Sequence, residues 1–260
     1  MRLLILGESD SIGMALDDPS VAWGNRVPVE LGAILGETLE TTHVRFYSWG
    51  GGAMPYLESV LERGPFDAVV ISATKVGFTI YSADNRVRRL LGDRAGDWFK
   101  ARANSYDRKT RWRKPPGWKR SVNELAHKTV RTVIGQAPVT TPEAVTEGYV
   151  RAFARIARLE DAQVVVVCAP AVPSSAAKRR PNLAAAVERF RTKMRDEAAR
   201  RRFDFVDPDA LLPAPGPARD ALFSDEVHKA PAFHAMLGRE VARRLAGSSV
   251  ESAPAARESR

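Results

Sequence analysis

The chain places a hydroxyl group directly behind its first apolar run. Ser9 lies two residues after Gly7 and follows Leu3–Leu6, whose length and composition predict a buried strand. Ligands of open α/β sheets bind at the carboxyl ends of the strands. Ser9 is therefore a candidate nucleophile, and the spacing to Gly13 leaves a turn whose amides can face a substrate. Ser11 is the alternative hydroxyl.

The other end of the chain supplies a base and a carboxylate. Asp225 and His228 lie three residues apart, just before an amphipathic C-terminal segment. A serine hydroxyl is a weak nucleophile until a base removes its proton, and a carboxylate best fixes the tautomer of that base. Ser9, His228 and Asp225 thus form a candidate hydrolytic triad. In the alternative interpretation, Ser224 or Asp225 only caps the following helix. The other histidines that compete for the role of base are His43, His127 and His234.

The loop behind the second predicted strand could stabilise an oxyanion. Gly50, Gly51 and Gly52 follow the second predicted strand, and successive glycines let backbone N–H groups approach a ligand closely. Gly52 is the predicted donor and Gly51 the alternate. A flexible turn is the simpler interpretation of such a run, but a sheet order that puts this loop beside Ser9 favours the site.

These blocks, taken in order, resemble those of the SGNH/GDSL hydrolase superfamily. That family has a Gly-Asp-Ser-like first block, where this chain has Glu8 in place of Asp, and an Asp-x-x-His last block. The resemblance implies a serine nucleophile at Ser9 and a triad completed by Asp225 and His228. It also implies that Ser9 and Gly52 contribute to the oxyanion hole.

The third block departs from the family pattern. The family has a Gly-x-Asn-Asp-like segment whose Asn donates to the oxyanion, whereas residues 71–78 read Ile-Ser-Ala-Thr-Lys-Val-Gly-Phe. Losing one preorganised donor typically costs on the order of a hundredfold to a thousandfold in rate. Thr74 and Lys75 are the nearest polar residues that could replace it, and Asn85 is an alternative from the segment that follows.

Short β-branched runs alternate with helical periodicity along the chain. The predicted strands are Leu3–Leu6, Val44–Ser48, Ala68–Ser72, Gln163–Cys168 and Phe203–Val206. The predicted helices are Trp23–Leu35, Pro55–Glu62, Pro142–Arg158, Leu183–Arg202 and Ala232–Leu245. Such alternation predicts parallel strands covered by helices. We expect an α/β fold, a flavodoxin-like three-layer sandwich with a central five-stranded parallel sheet, which the family resemblance also implies.

Residues 80–141 interrupt this alternation. Structureless connections of this length are usually functional, so the segment is predicted to be a partly helical lid inserted after strand three. Trp112, Arg111 and Arg113 are its candidate substrate-binding residues, suited to an acyl carrier or a phosphorylated substrate. A solvated basic loop is the alternative. The segment also contains Trp98, Trp118, Arg108, Lys109, Lys114, Lys119 and Arg120.

Composition narrows the class of protein. The 260 residues carry a formal net charge of +9, but no zinc-finger, helix-turn-helix or RNP-type pattern accompanies it, so nucleic acid is not the expected partner. No His/Cys set has metal-ligand spacing and no phosphate-cradling loop is present, so no cofactor is expected. Cys168 lies in an apolar run and is expected to be a buried strand thiol. No apolar run reaches the roughly 20 residues of a membrane span, and a cytoplasmic protein is expected.

Three functions fit these observations. The first is an SGNH-type serine esterase or acyl hydrolase acting on an ester. The second is an acyltransferase that moves an acyl group from a carrier thioester to a sugar or alcohol hydroxyl, with the lid excluding water. The third is a non-catalytic binding protein on the same fold. One domain is expected over residues 1–246, including the insert at 80–141, followed by a disordered tail at 247–260.

Overall fold

A computed structural model of the protein describes residues 1–13, 16–79, 81–98, 137–172, 177, 180–214, 216–223 and 228–252. Its strands are β1 Arg2–Gly7, β2 Glu40–Arg45, β3 Ala68–Ala73, β4 Tyr81–Ser82, β5 Ala137–Pro138, β6 Gln163–Cys168 and β7 Asp204–Val206. Its α-helices are α1 Trp23–Leu35, α2 Ala53–Leu61, α3 Val76–Thr79, α4 Ala83–Leu91, α5 Pro142–Ile156, α6 Pro181–Arg200, α7 Pro217–Asp220 and α8 Pro231–Ser252. Short 3-10 helices span Pro19–Val21 and Pro208–Leu211.

The five main strands form one parallel sheet in the order β2-β1-β3-β6-β7. The register sets Ile5 opposite His43 on β2 and opposite Val70 on β3. All six residues of β3 are buried, as expected for a central parallel strand with both faces covered. The predicted five-stranded α/β sandwich is confirmed.

Helices α1 and α8 cover one face of this sheet. Trp23, Val27 and Leu31 recur every four residues along α1, which puts them on one stripe of the helix. They pack with Leu237 and Val241 of α8 and with alternate strand residues in one buried cluster. A separate group of aromatic residues surrounds Tyr149 of α5. Its ring packs against the rings of Phe46, Phe153 and Phe190.

Strand β2 begins and ends earlier than the predicted range Val44–Ser48. It spans Glu40–Arg45, and its last pair joins Arg45 to Gly7, where β1 ends. Because β2 has β1 as its neighbour in the sheet, pairing stops where β1 turns away, after one further bond from Phe46 N–H to the Gly7 carbonyl (2.7 Å). Residues 46–48 of the predicted strand therefore belong to the loop behind it.

The other predicted elements hold with small shifts at their ends. Helix α1 has its predicted bounds, and the remaining long helices differ by one to a few residues, except at the C-terminus. There, α8 continues to Ser252. Residues 247–252 are thus helical, whereas a disordered tail was predicted from Gly247, and 253–260 lie outside the described residues.

The chain divides into two compact units. One comprises Met1–Lys75 and Pro142–Arg260, and the other comprises Val76–Thr141. Within the second unit, β4 and β5 form an antiparallel pair, and Thr140 N–H donates to the Gly77 carbonyl (3.0 Å). The described part of the predicted insert contains α4 and a helical stretch at 93–98. Its role as a lid stays a prediction.

Candidate active site

The loop behind β1 folds into a tight turn. Ser9 is half-buried there, whereas Glu8, Asp10 and Ser11 are buried. The turn needs glycine at position 7, because a Cβ atom there would lie 1.9 Å from Ser11 Oγ. Ser11 thus folds back onto the end of the strand, and Ser9 is the more accessible of the two hydroxyls.

Ser11 lies at the buried end of a chain of polar contacts that runs through His43 to the exposed hydrogen bond between Asn25 and Pro19. Its hydroxyl donates to the Glu8 carbonyl (2.7 Å) and lies 3.2 Å from His43 Nε2. His43 Nδ1 is 3.0 Å from Asn25 Oδ1, and the Asn25 amide nitrogen donates to the Pro19 carbonyl (2.8 Å). This orientation of Asn25 makes its Oδ1 the acceptor for a proton on His43 Nδ1. His43 Nε2 is then an acceptor, and the single Ser11 hydroxyl proton is shared between the Glu8 carbonyl and Nε2. Burial lowers the pKa of His43 to about 4, so the ring is neutral near pH 7.

A cluster of charged groups lies next to Ser9. Lys229 Nζ forms an ion pair with Asp10 and lies 3.9 Å from Glu8 Oε1, and all three residues are buried. The Lys229 backbone N–H also donates to Asp10 Oδ1 (3.4 Å). His234 accepts a hydrogen bond from Trp23 N–H at Nδ1 (3.2 Å), and its Nε2 is 3.4 Å from Asp10 Oδ1. We call Glu8, Asp10, Lys229 and His234 the buried charge cluster.

The two carboxyl groups of this cluster titrate differently. Burial by itself would raise the pKa of Asp10, but the Lys229 ammonium and the His234 ring outweigh it and hold that pKa below its usual value. Burial raises the pKa of Glu8, and the attraction of Lys229 offsets this only in part. Asp10 is therefore the ionised partner of Lys229.

The predicted oxyanion donors of the third block are engaged with other groups. The Thr74 hydroxyl donates to Glu8 Oε2 (2.9 Å) and its backbone N–H donates to Tyr149 Oη (3.1 Å). Lys75 Nζ donates to the carbonyls of Pro170 (2.6 Å) and Ala171 (3.2 Å). Both side chains are buried and have structural partners. Their assignment as oxyanion donors stays a prediction.

The glycine run behind β2 borders open space. Gly52 is the N-cap residue of α2, and a Cβ atom added at Gly51 or Gly52 would meet nothing within 4 Å. The loop is anchored at Ser48, whose hydroxyl donates to the Val145 carbonyl (2.9 Å). Because β2 neighbours β1, this loop and the Ser9 turn leave the same edge of the sheet from adjacent strands.

The structure describes one of the two triad residues predicted near the C-terminus. His228 is half-buried and immediately precedes Lys229, whose contacts with Asp10 bring this segment to the Ser9 turn. Asp225 lies outside the described residues, so the triad stays a prediction. The same holds for the predicted substrate-binding residues Arg111, Trp112 and Arg113 and for His127, which all lie in 99–136.

Sequence reasoning missed the role of Lys229. Lysine is rarely buried, and nothing in its neighbourhood predicts burial, although its position next to His228 could have drawn attention to it. The sequence indicates His234 only as a competing base, and it assigns no role to Asp10. Their pairing became visible only once the fold brought the two ends of the chain together.

Three further features of the described residues concern metal ligands, membrane-spanning helices and the single cysteine. Among them, no group of three or more His, Cys, Asp or Glu side chains could hold a metal ion. No helix in the part that the structure describes is long and apolar enough to cross a membrane. Cys168 is buried at the end of β6, and burial raises the pKa of its thiol to about 12.

Comparison with known proteins identifies the fold. No protein-family model and no curated protein sequence matches the chain. Solved structures do: a lipase/acylhydrolase from Enterococcus faecalis matches with a TM-score of 0.57 at 13% identity, over 95% of this chain and 96% of that one. A carbohydrate acetylesterase from Sinorhizobium meliloti matches with a TM-score of 0.55 at 12% identity, over 95% and 99%. An aryl esterase from M. smegmatis matches with a TM-score of 0.52 at 13% identity, over 95% and 98%. The chain therefore has the fold of these esterases and acylhydrolases.

Proposed function

We propose that the protein is an SGNH-type ester hydrolase, with Ser9 as nucleophile, His228 as general base and Asp225 as the carboxylate that orients His228. The observation that carries the proposal is the contact between Asp10 and Lys229, which are 219 residues apart in the chain. Each is the immediate neighbour of a proposed catalytic residue. The fold, shared with esterases and acylhydrolases along nearly the whole chain, supports the same reaction class.

The local environment favours Ser9 over Ser11 as the attacking hydroxyl. Ser11 is fully buried and donates to the Glu8 carbonyl, whereas Ser9 is partly open to solvent.

The contacts of the other described histidines favour His228 as the base. His43, which faces Ser11, is held by Asn25. His234 is fully buried against Trp23 and Asp10. Among the described histidines, His228 is the one that we assign to the base.

The proposed reaction follows the two-step scheme of serine esterases. Ser9 Oγ attacks the ester carbonyl carbon while His228 takes the hydroxyl proton and then gives it to the leaving alcohol. Backbone N–H groups of Ser9 and Gly52 would hold the oxyanion, and the position of Gly52 at the start of α2 favours negative charge there. Water then releases the acid from the acyl-enzyme by the reverse sequence of proton transfers.

Covalent labelling tests this assignment. A fluorophosphonate probe should modify the wild-type protein at a single serine, identified by peptide mass spectrometry as Ser9. Ser9→Ala should abolish both labelling and hydrolysis of p-nitrophenyl acetate, while the matched control Ser11→Ala keeps both, with a loss of about 1 kcal/mol in unfolding free energy from its buried hydrogen bond. A label on Ser11, or wild-type protein without any label, would contradict the proposal.

A further inference from the structure

The buried charge cluster joins the two segments that carry the proposed nucleophile and base. Lys229 and Asp10 are 4% exposed each, and His234 is fully buried. Lysine and aspartate are almost never buried to this degree unless they are paired. Taking both charges out of water is costly, and a well-packed apolar pair of similar volume is often as stable or more stable.

The geometry of the pair is directional. Asp10 receives the Lys229 ammonium at Oδ2 and the Lys229 backbone N–H at Oδ1, so that one carboxylate contacts both the side chain and the main chain of the same residue. His234 Nε2 approaches the same Oδ1 (3.4 Å), and its own orientation is set by Trp23 N–H. Glu8 Oε1 lies 3.9 Å from Lys229 Nζ, and Glu8 Oε2 accepts a hydrogen bond from the Thr74 hydroxyl (2.9 Å). A two-point contact of this kind fixes the orientation of the main chain at Lys229 as well as its distance from Asp10.

We propose that Asp10 and Lys229 are positioning residues whose buried ion pair fixes the Ser9 turn against the His228 segment and thereby sets the distance from Ser9 Oγ to the His228 ring. The inference rests on the proposed function, because it assumes that Ser9 and His228 react together. Peptide connectivity transmits the constraint, since Asp10 follows Ser9 directly and Lys229 follows His228 directly. An apolar pair of equal volume would hold the segments together but would not orient them.

Such a role has a measurable consequence. A displacement of about 1 Å between reacting groups costs roughly a hundredfold in rate, whereas the binding of a small ester depends little on it. Lys229→Met should therefore lower kcat on p-nitrophenyl acetate and the rate of fluorophosphonate labelling of Ser9 by about a hundredfold, with KM changed by less than about threefold. The same variant leaves Asp10 buried without its partner, so its Tm should also fall.

A second variant separates positioning from stability. In Asp10→Asn/Lys229→Met both charges are gone, so Tm should recover toward the wild-type value while kcat and the labelling rate stay low. Arg243→Met is the matched control, because Arg243 forms an exposed ion pair with Glu240 within α8, the helix that follows Lys229. It should leave kcat, the labelling rate and Tm unchanged.

Each other outcome overturns the inference in a recognisable way. If the double variant regains wild-type kcat together with its Tm, the pair serves folding alone. If Lys229→Met is labelled as fast as wild type, the pair does not set the geometry, and the proposed function stands without it. If wild-type protein is not labelled at all, the esterase proposal falls and the positioning role falls with it.

Discussion

His43 shows how one half-buried side chain links stability to pH. Its pKa falls from 6.5 to about 4 on folding, chiefly because burial disfavours the charged ring. Below pH 6.5 the unfolded chain binds a proton that the folded protein excludes until about pH 4, so the unfolding free energy falls as pH drops through this window. We expect a loss of about 2 kcal/mol, reduced from the full shift because the ring is partly exposed.

Chemical denaturation at several pH values measures this contribution. His43→Gln has no ring to protonate, so the difference in unfolding free energy between wild type and variant should shrink as pH falls from 6.5 to 4. Asn25→Ala, which removes the partner of Nδ1, should reduce stability at all pH values in the window. A difference between wild type and His43→Gln that does not change with pH would contradict the assignment of a neutral, half-buried ring.

Glu8 should give the opposite pH dependence. Burial raises its pKa, so the folded protein holds a proton that the unfolded chain releases above pH 4.5, and the unfolding free energy falls as pH rises through the window between the two values. Glu8→Gln keeps an acceptor for the Thr74 hydroxyl and never ionises. Its stability relative to wild type should therefore increase with pH above 4.5, as measured by urea unfolding. A relative stability that decreases with pH would show that Lys229 outweighs burial at this carboxyl.

At the scale of elements, helix α5 supports the glycine loop through one close approach. A Cβ atom at Gly148 would lie 2.0 Å from the carbonyl oxygen of Ser48, a backbone atom that cannot move without the loop. Gly148→Ala should therefore destabilise the protein by about 1–3 kcal/mol, the cost of overpacking, and should lower kcat by shifting the loop that leads to Gly52. Gly247→Ala is the matched control, because Gly247 is an exposed glycine of α8 with nothing within 4 Å, and should gain about 0.5–1 kcal/mol from helix propensity.

Thermal unfolding and ester turnover of these two variants give the comparison. A neutral Gly148→Ala would show that Ser48 can move away at little cost. The close approach of α5 to the glycine loop would then not require glycine at position 148.

The elements were predictable from the sequence where one physical signal dominated. Strands β3 and β6 are continuous apolar runs and α1 repeats apolar residues every four positions, and all three were placed closely. The pattern failed at β2, since the aromatic residues Phe46 and Tyr47 continue the run beyond Arg45, whereas pairing depends on where β1 ends. The end of a strand thus depends on where its neighbour in the sheet ends, and a local sequence pattern does not carry that information.

At the scale of the whole molecule, the candidate site is only partly written in the sequence. The spacing of Ser9 and His228 and the resemblance to the family blocks indicate these two residues, and their catalytic roles stay a prediction. Lys229 could not be indicated in this way, because its burial depends on a carboxylate 219 residues away. The third block shows the same limit: Thr74 and Lys75 have donors of the right kind, and their partners Glu8 and Pro170 come from other loops.

The insert offers the last prediction, because its two ends are already joined. Ser82 on β4 pairs directly with Ala137 on β5 in an antiparallel register. Replacing residues 83–136 by Asn-Gly would therefore close a two-residue hairpin without straining the strands. The described members of the buried cluster formed by the main sheet with α1 and α8 all lie outside the replaced segment, so the shortened protein should unfold in one cooperative transition.

Activity of the shortened protein then reports what the insert does. If it selects substrates, kcat/KM for p-nitrophenyl acetate should stay within about tenfold of wild type, while discrimination between small and bulky esters is lost, since specificity lies in loops carried by a rigid scaffold. With an acceptor alcohol present, a protein whose insert excludes water should shift from acyl transfer toward free acid when shortened. The same deletion made in Ser9→Ala gives the background rate. A folded, shortened protein that no longer turns over the small ester would place part of the catalytic machinery within 83–136.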